Sequence, residues 1–333
     1  MKGLRLAWGG VILALLNVFG IVRVAETQAA PAFGASGAIA DKCWVYTHLN
    51  KAGGSTLKKV LKTIWGQRLF IYSGGTWHGG SSKAQSIAEE LVRGDKWSVV
   101  AGGYTESLRR SGAVGSKCKW FTMFRHPVSR MVSAYYFCKY SPSCARDIVD
   151  PNRVDVVTFA KHWGNYSMRQ FVLSFMSIDD VLTHTHTDAV QEKLPQSGKP
   201  LHNIPPWYLV KMYVDAHTQE SISESIPDAA FYAMLQPVQD LLRDQYSAVG
   251  ILEEFNTTLS LFNAALQMPG VDWHEQYMTV GAVNVDNRHA DEKVATLADA
   301  WTNSEIKKYL QLDLILYEHA VALFHRQTRA YGV

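Results

Sequence analysis

The chain has little charge of either sign in excess. Its 333 residues carry 33 Lys and Arg against 30 Asp and Glu, a formal net charge of +3 at pH 7. A dedicated nucleic-acid binder needs a strong basic surplus, so that class is set aside, local basic clusters apart. Cysteine is scarce: the 4 present fit an oxidising compartment. There is no internal repeat, and only the Ala/Gly-rich stretch from Ala29 to Ala40 approaches low complexity. The P-loop pattern G-x-x-x-x-G-K-[ST] and a Walker B run are both missing, which argues against a kinase-like nucleotide enzyme. His184 and His186 stand two apart, a spacing that does not by itself make a ligand set, so no metal is expected there.

One long apolar run is present. Leu6 to Val22 is interrupted only by Asn17, with Lys2 and Arg5 before it and Arg23 after it. Its length falls within the range that spans a bilayer, and the charges on its N-terminal side favour an N-in orientation. The expectation is a cytoplasmic tail and signal anchor over 1–23, a stem over 24–41, and one lumenal domain over 42–333. A cleaved signal peptide is the rival, with Ala38-Ile39-Ala40 as its small-residue site, although that site lies far from the apolar run.

The domain is organised around Trp44 to Leu57, WVYTHLNKAGGSTL. Val45 to Leu49 reads as a buried strand, Asn50 to Gly54 as a tight loop, and Ser55 onward as a helix. Free N–H groups and the dipole of a helix N-terminus favour an anion, and Gly53 and Gly54 let the backbone curl. Ser55 and Thr56 add hydroxyl donors, and Lys51 a mobile positive charge. An ordinary β–α turn with a solvated lysine carries the same residues. A second unit, KWFTMFRHPVSRMVSAYY from Lys119 to Tyr136, has a strand ending at Arg125 and Pro127 in the first helical position. Further strands are predicted at Arg68–Tyr72, Trp97–Ala101 and Ser247–Leu252. Helical spacing runs over Ala84–Val92, Val154–Phe175, Gln236–Gln245 and Glu254–Leu266, and two or more helices fill Val294–Gln327. Strands alternating with helices predict an α/β domain with a parallel sheet covered on both faces, whose ligands sit at the C-terminal strand ends.

Two such units in this order resemble the sulfotransferases that use 3′-phosphoadenylyl sulfate (PAPS), in particular the Golgi carbohydrate sulfotransferases of the heparan sulfate 2-O-sulfotransferase type. Lys51, Gly53, Gly54, Ser55 and Thr56 are similar to their 5′-phosphosulfate loop. Arg125-His126-Pro127, with Arg130 and Ser133, is similar to their 3′-phosphate motif, R-[DH]-P-x-x-R-x-x-S. Looser likenesses lie at Asn165–Arg169, Val249–Phe255 and Asp313–Ala320. The resemblance implies a P-loop-like sulfotransferase fold, PAPS as co-substrate, no metal, a glycan or polysaccharide acceptor, and a single-pass type II Golgi membrane protein. It also implies that Lys51 reaches the leaving phosphate, and that Arg125 and Ser133 hold the 3′-phosphate.

The resembled enzymes carry their general base in an H-G-H run after the strand that precedes the 3′-phosphate motif. This chain has Ala101-Gly102-Gly103-Tyr104 there. Glu106, just beyond that strand end, and His78, on a glycine-rich loop, are the nearest candidates, each more readily read as a surface polar residue. A glycan-binding protein on a degenerate sulfotransferase fold, without turnover, is therefore the alternative. Cys43 and Cys118 each precede one of the two main strands, so they come within bridging distance if those strands are parallel neighbours. Cys138 and Cys144 flank a short turn. Of three possible pairings, Cys43–Cys118 with Cys138–Cys144 is the expected one. Asn165-Tyr166-Ser167 and Asn256-Thr257-Thr258 are candidate glycosylation sequons.

Overall fold

The computed structural model describes residues 43–72, 82–94, 96–103, 105, 108–109, 114–140, 151–175, 228–282 and 289–333. The anchor and stem, His78, Tyr104, Glu106, Cys144 and the pair His184 and His186 lie outside the described residues. Among the described residues no helix is long and apolar enough to cross a membrane, and no group of three or more His, Cys, Asp or Glu could hold a metal ion.

The described elements, in chain order, are β1 (Trp44–Thr47), α1 (Gly54–Trp65), β2 (Leu69–Tyr72), α2 (Ser82–Arg93), β3 (Val99–Gly102), β4 (Lys119–Phe124), α3 (Pro127–Tyr140), α4 (Val156–Trp163), α5 (Tyr166–Phe175), α6 (Asp228–Gln245), β5 (Ala248–Ile251), α7 (Phe255–Leu266), α8 (Trp273–Val280), α9 (Ala290–Thr302), α10 (Ser304–Tyr309) and α11 (Gln311–Tyr331). The five strands form one sheet in the order β2-β3-β1-β4-β5, every pair parallel. The α/β architecture with a parallel sheet flanked by helices is thus as the residue pattern predicts. Strands β1, β3 and β5 are buried along their whole length, as a sheet covered on both faces requires.

Side-chain parity along β4 assigns the two layers. Phe121 faces Phe262 of α7 and Trp273 of α8, with ring centroids 5.3 and 5.9 Å away. Phe124, of opposite parity, stacks on Phe171 of α5 at 6.0 Å. A separate apolar cluster joins α3, α4, α9 and α10 around Met131, Phe159, Ile306 and Leu310.

The predicted helix over Val154–Phe175 is in fact two. Gly164 packs so close to the Tyr309 carbonyl that a Cβ there would overlap it, and Asn165 takes a left-handed φ of 50°. The Asn165 side-chain oxygen then accepts from the N–H groups of Leu312 and Asp313 (3.0 and 3.2 Å), capping α11. Helix α8 carried no expectation from the residue pattern. Residues Val294–Gln327, expected as two or more helices, resolve into three, with Asn303 capping α10 through Glu305 and Ile306. Cys43 and Cys118 form a disulfide across the neighbouring starts of β1 and β4. Cys138 is also disulfide-bonded.

Candidate functional site

The strand order places a topological switch point at the sheet's centre. From β1 the chain crosses to β2 and returns through β3, on one side. From β3 it crosses β1 to reach β4 and β5, on the other. The C-terminal ends of β1 and β4 are therefore neighbours whose following loops diverge, the arrangement that opens a crevice in such sheets. The loop after β1 holds Lys51, Gly53 and Gly54; the loop after β4 holds Arg125 and His126. The two are joined directly, since Arg125 donates from its guanidinium to the Lys51 carbonyl at 3.2 Å.

The β1–α1 loop turns through left-handed backbone at Lys51 (φ 65°) and Gly53 (φ 77°). Gly53 caps α1 without a side chain. Its carbonyl accepts from the N–H groups of Thr56 and Leu57 at 3.1 and 3.3 Å. Among the described residues, that leaves the N–H groups of Gly53, Gly54 and Ser55 without a protein acceptor at the helix start, where the dipole is positive. Gly53 is favoured by its left-handed backbone, and Gly54 is required from beneath. A Cβ on Gly53 would meet Met123 and Leu252, and one on Gly54 would overlap the His48 ring.

The cations are held under unfavourable conditions. Lys51 is half-buried, with its Nζ 4.2 Å from the centre of the Phe137 ring. Burial, then the charges of Lys293 and Arg125, lower its pKa to about 8. Burial likewise lowers Lys58, one turn into α1. Burial, with Lys58 and Lys51, pushes His48 down to about 3, so its imidazole is neutral. Arg125 is depressed mainly by burial, with Glu253 opposing and Arg130 adding to the shift. Glu253 braces the second loop. One carboxylate oxygen accepts from the His126 N–H at 2.9 Å and the other from the Tyr317 hydroxyl at 3.2 Å. The His126 ring lies against Trp301, centroids 3.9 Å apart.

The remaining motif residues divide. Ser55 is partly exposed at the start of α1 and Thr56 is buried one residue on. Arg130 is enclosed: its guanidinium pairs with Asp313 at 3.3 Å, both side chains all but inaccessible, and lies 5.1 Å from the centre of the Tyr166 ring. Asp313 also accepts from the N–H groups of Ser167 and Met168 (3.1 and 2.8 Å), capping α5. Arg130 thus serves the helix junction. Ser133 is buried on α3, six residues past its start, or about 9 Å along the axis.

Two contributors escape sequence reasoning. Lys293 belongs to a helix far along the chain, and no local motif marks it. Gln170 on α5 bridges the ends of β1 and β3, donating from one side-chain nitrogen to the carbonyls of His48 (2.8 Å) and Gly103 (2.5 Å). The likeness noted at Asn165–Arg169 stops one residue short of it.

Fold and site together define an α/β protein with a cationic, amide-rich crevice at the switch point of a parallel sheet. No protein-family model matches the chain, and no curated protein matches it.

Proposed function

We propose that this protein is a PAPS-dependent sulfotransferase with a P-loop-like sulfotransferase fold, moving a sulfuryl group from PAPS to a glycan hydroxyl. The observation that carries the reading is the meeting of two loops at one crevice: the Lys51–Thr56 loop and Arg125, joined by the Arg125–Lys51 hydrogen bond. The residues fit the donor's chemistry. Free N–H groups at the start of α1 suit a phosphate, Lys51 suits the bridging oxygen on which charge develops, and Arg125 suits a second phosphate through charge-assisted bonds. Ser133 remains the proposed partner of Arg125, and Glu106 and His78 the proposed bases. The setting proposed is a type II Golgi membrane protein with its domain in the lumen; the Cys43–Cys118 disulfide supports an oxidising compartment.

A glycan-binding protein without turnover is the second reading, favoured by one observation. Ala101-Gly102-Gly103-Tyr104 stands where the resembled enzymes carry the H-G-H run, and the Gln170 amide is clamped across that strand end.

Calorimetric titration with 3′,5′-diphosphoadenosine (PAP) and transfer of labelled sulfate from PAPS to a panel of desulfated glycans test both. The expected result is PAP binding that Arg125→Ala weakens by about 2–4 kcal/mol, as for other truncated charged contacts. Unchanged affinity in a folded Arg125→Ala variant would remove the donor assignment. PAP binding with no transfer to any acceptor would select the second reading.

A further inference from the structure

Helix α9 reaches the crevice from the far part of the chain, and its docking on α3 is well defined. His289 stacks on Tyr140 with centroids 3.9 Å apart, the hydroxyls of Thr296 and Tyr136 are 2.7 Å apart, and Lys139 lies 2.9 Å from Glu292. Lys293 follows His289 by four residues and precedes Thr296 by three, so it occupies the same face. It is half-buried there, in contrast to the exposed Val294 beside it. The residue after Tyr136 on α3 is Phe137, the ring over which Lys51 lies. Lys293 and Lys51 thus converge on one segment of α3, and the Lys293 charge acts on Lys51 ahead of that of Arg125.

At this point the charges of Lys293 and Arg125, each from a separate element, repel that of Lys51. Packing of α9 on α3, and of the two loops on each other, holds them together regardless. A multiply charged anion relieves that repulsion, which makes the cluster a binding device rather than a stabilising one. We propose that Lys293 is a third cationic ligand of the anion, completing with Lys51 and Arg125 a site for the donor's anionic groups, with Lys51 and Lys293 toward the phosphosulfate end and Arg125 toward the 3′-phosphate. The choice of that ligand rests on the sulfotransferase reading; the three-cation site does not.

Among the described residues, the charged and titratable groups around Lys51 include Arg125 from the β4–α3 loop, Lys293 from α9, His48 at the end of β1 and Lys58 on α1, with Glu253 acting on Arg125. Lys51 loses its charge as pH rises through about 8. Anion affinity should therefore fall across that range. Removing the Lys293 charge should move the fall to higher pH.

The test is calorimetric titration of wild type, Lys293→Ala and Lys293→Arg with PAP and, separately, inorganic sulfate, from neutral to about pH 10, beside an NMR titration of the Lys51 amine without ligand. Lys293→Ala should weaken binding by about tenfold or more, the loss expected for one charge-assisted contact, and Lys293→Arg should restore most of it. The Lys51 amine should titrate at higher pH in Lys293→Ala. Equal affinity in wild type and Lys293→Ala, or a Lys51 titration that does not move, overturns the proposal. Weakened binding that Lys293→Arg fails to restore, with the titration unmoved, assigns Lys293 a packing role and also overturns it. Sulfate held through Lys293 with no binding of PAP by wild type sinks the donor reading and leaves the three-cation site standing.

Discussion

Gly54 occupies a position where no other residue fits, and the reason lies outside the anion's reach. The His48 ring fills the space that a Cβ would take. Gly54→Ala should therefore destabilise the fold by about 1–3 kcal/mol, the usual cost of overpacking. Removing the obstacle with His48→Ala in the same chain should recover part of the loss. Denaturant unfolding of the two single variants and the double variant measures that coupling; strictly additive effects would show that the contact is not the cause. A Gly-Gly pair before a helix is legible as a loop that approaches a ligand closely. That the loop's underside demands glycine at Gly54 is not legible, because it depends on how the His48 ring folds back beneath the helix start. Arg130 makes the same point. Helical spacing from Arg125 is compatible with either an anion contact or an interior pair, and only the presence of Asp313 opposite decides for the interior.

Among the elements, α5 and α11 begin against each other and cap each other. Asp313 in the first turn of α11 accepts from Ser167 and Met168 at the start of α5, while Asn165 just before α5 accepts from Leu312 and Asp313. The Arg130 guanidinium completes the junction from α3. Asp313→Ala strips two N–H groups of their acceptor and leaves a buried arginine unpaired, so a loss of about 3–5 kcal/mol is expected. Thermal or denaturant unfolding checks it, and a loss below about 1 kcal/mol, the scale of an exposed pair, would contradict the burial argument. Asp313→Ala with Arg130→Met should lose less than Asp313→Ala alone, since the stranded charge is gone. The weak likenesses at Asn165–Arg169 and Asp313–Ala320 meet here: two stretches read separately in the sequence are the two halves of one junction. Their pairing was not legible, because capping across helices depends on where each helix starts in space.

At the scale of the whole molecule, the buried neutral His48 ties stability to pH. Its folded pKa is depressed to about 3 from an ordinary 6.5, so the unfolded chain binds the proton first. The contribution of His48 is fully present above pH 6.5 and is lost progressively as pH falls from there to about 3. His48→Gln, neutral at every pH, should show a shallower decline of unfolding free energy over that interval. Parallel acid profiles for the two proteins would refute the assignment. By itself the sequence determined the strand–loop–helix units and the alternation that makes an α/β parallel sheet. Each rests on local turn chemistry and apolar runs, and these are short-range signals. The Cys43–Cys118 bridge was expected only on the condition that β1 and β4 are neighbours, which the sheet order supplies. Only the tertiary structure decided the order β2-β3-β1-β4-β5, the enclosure of Arg130 and the arrival of Lys293 beside Lys51. Those depend on crossover connections and on helix docking between distant segments, where the free energy comes from contacts that no single stretch of chain contains.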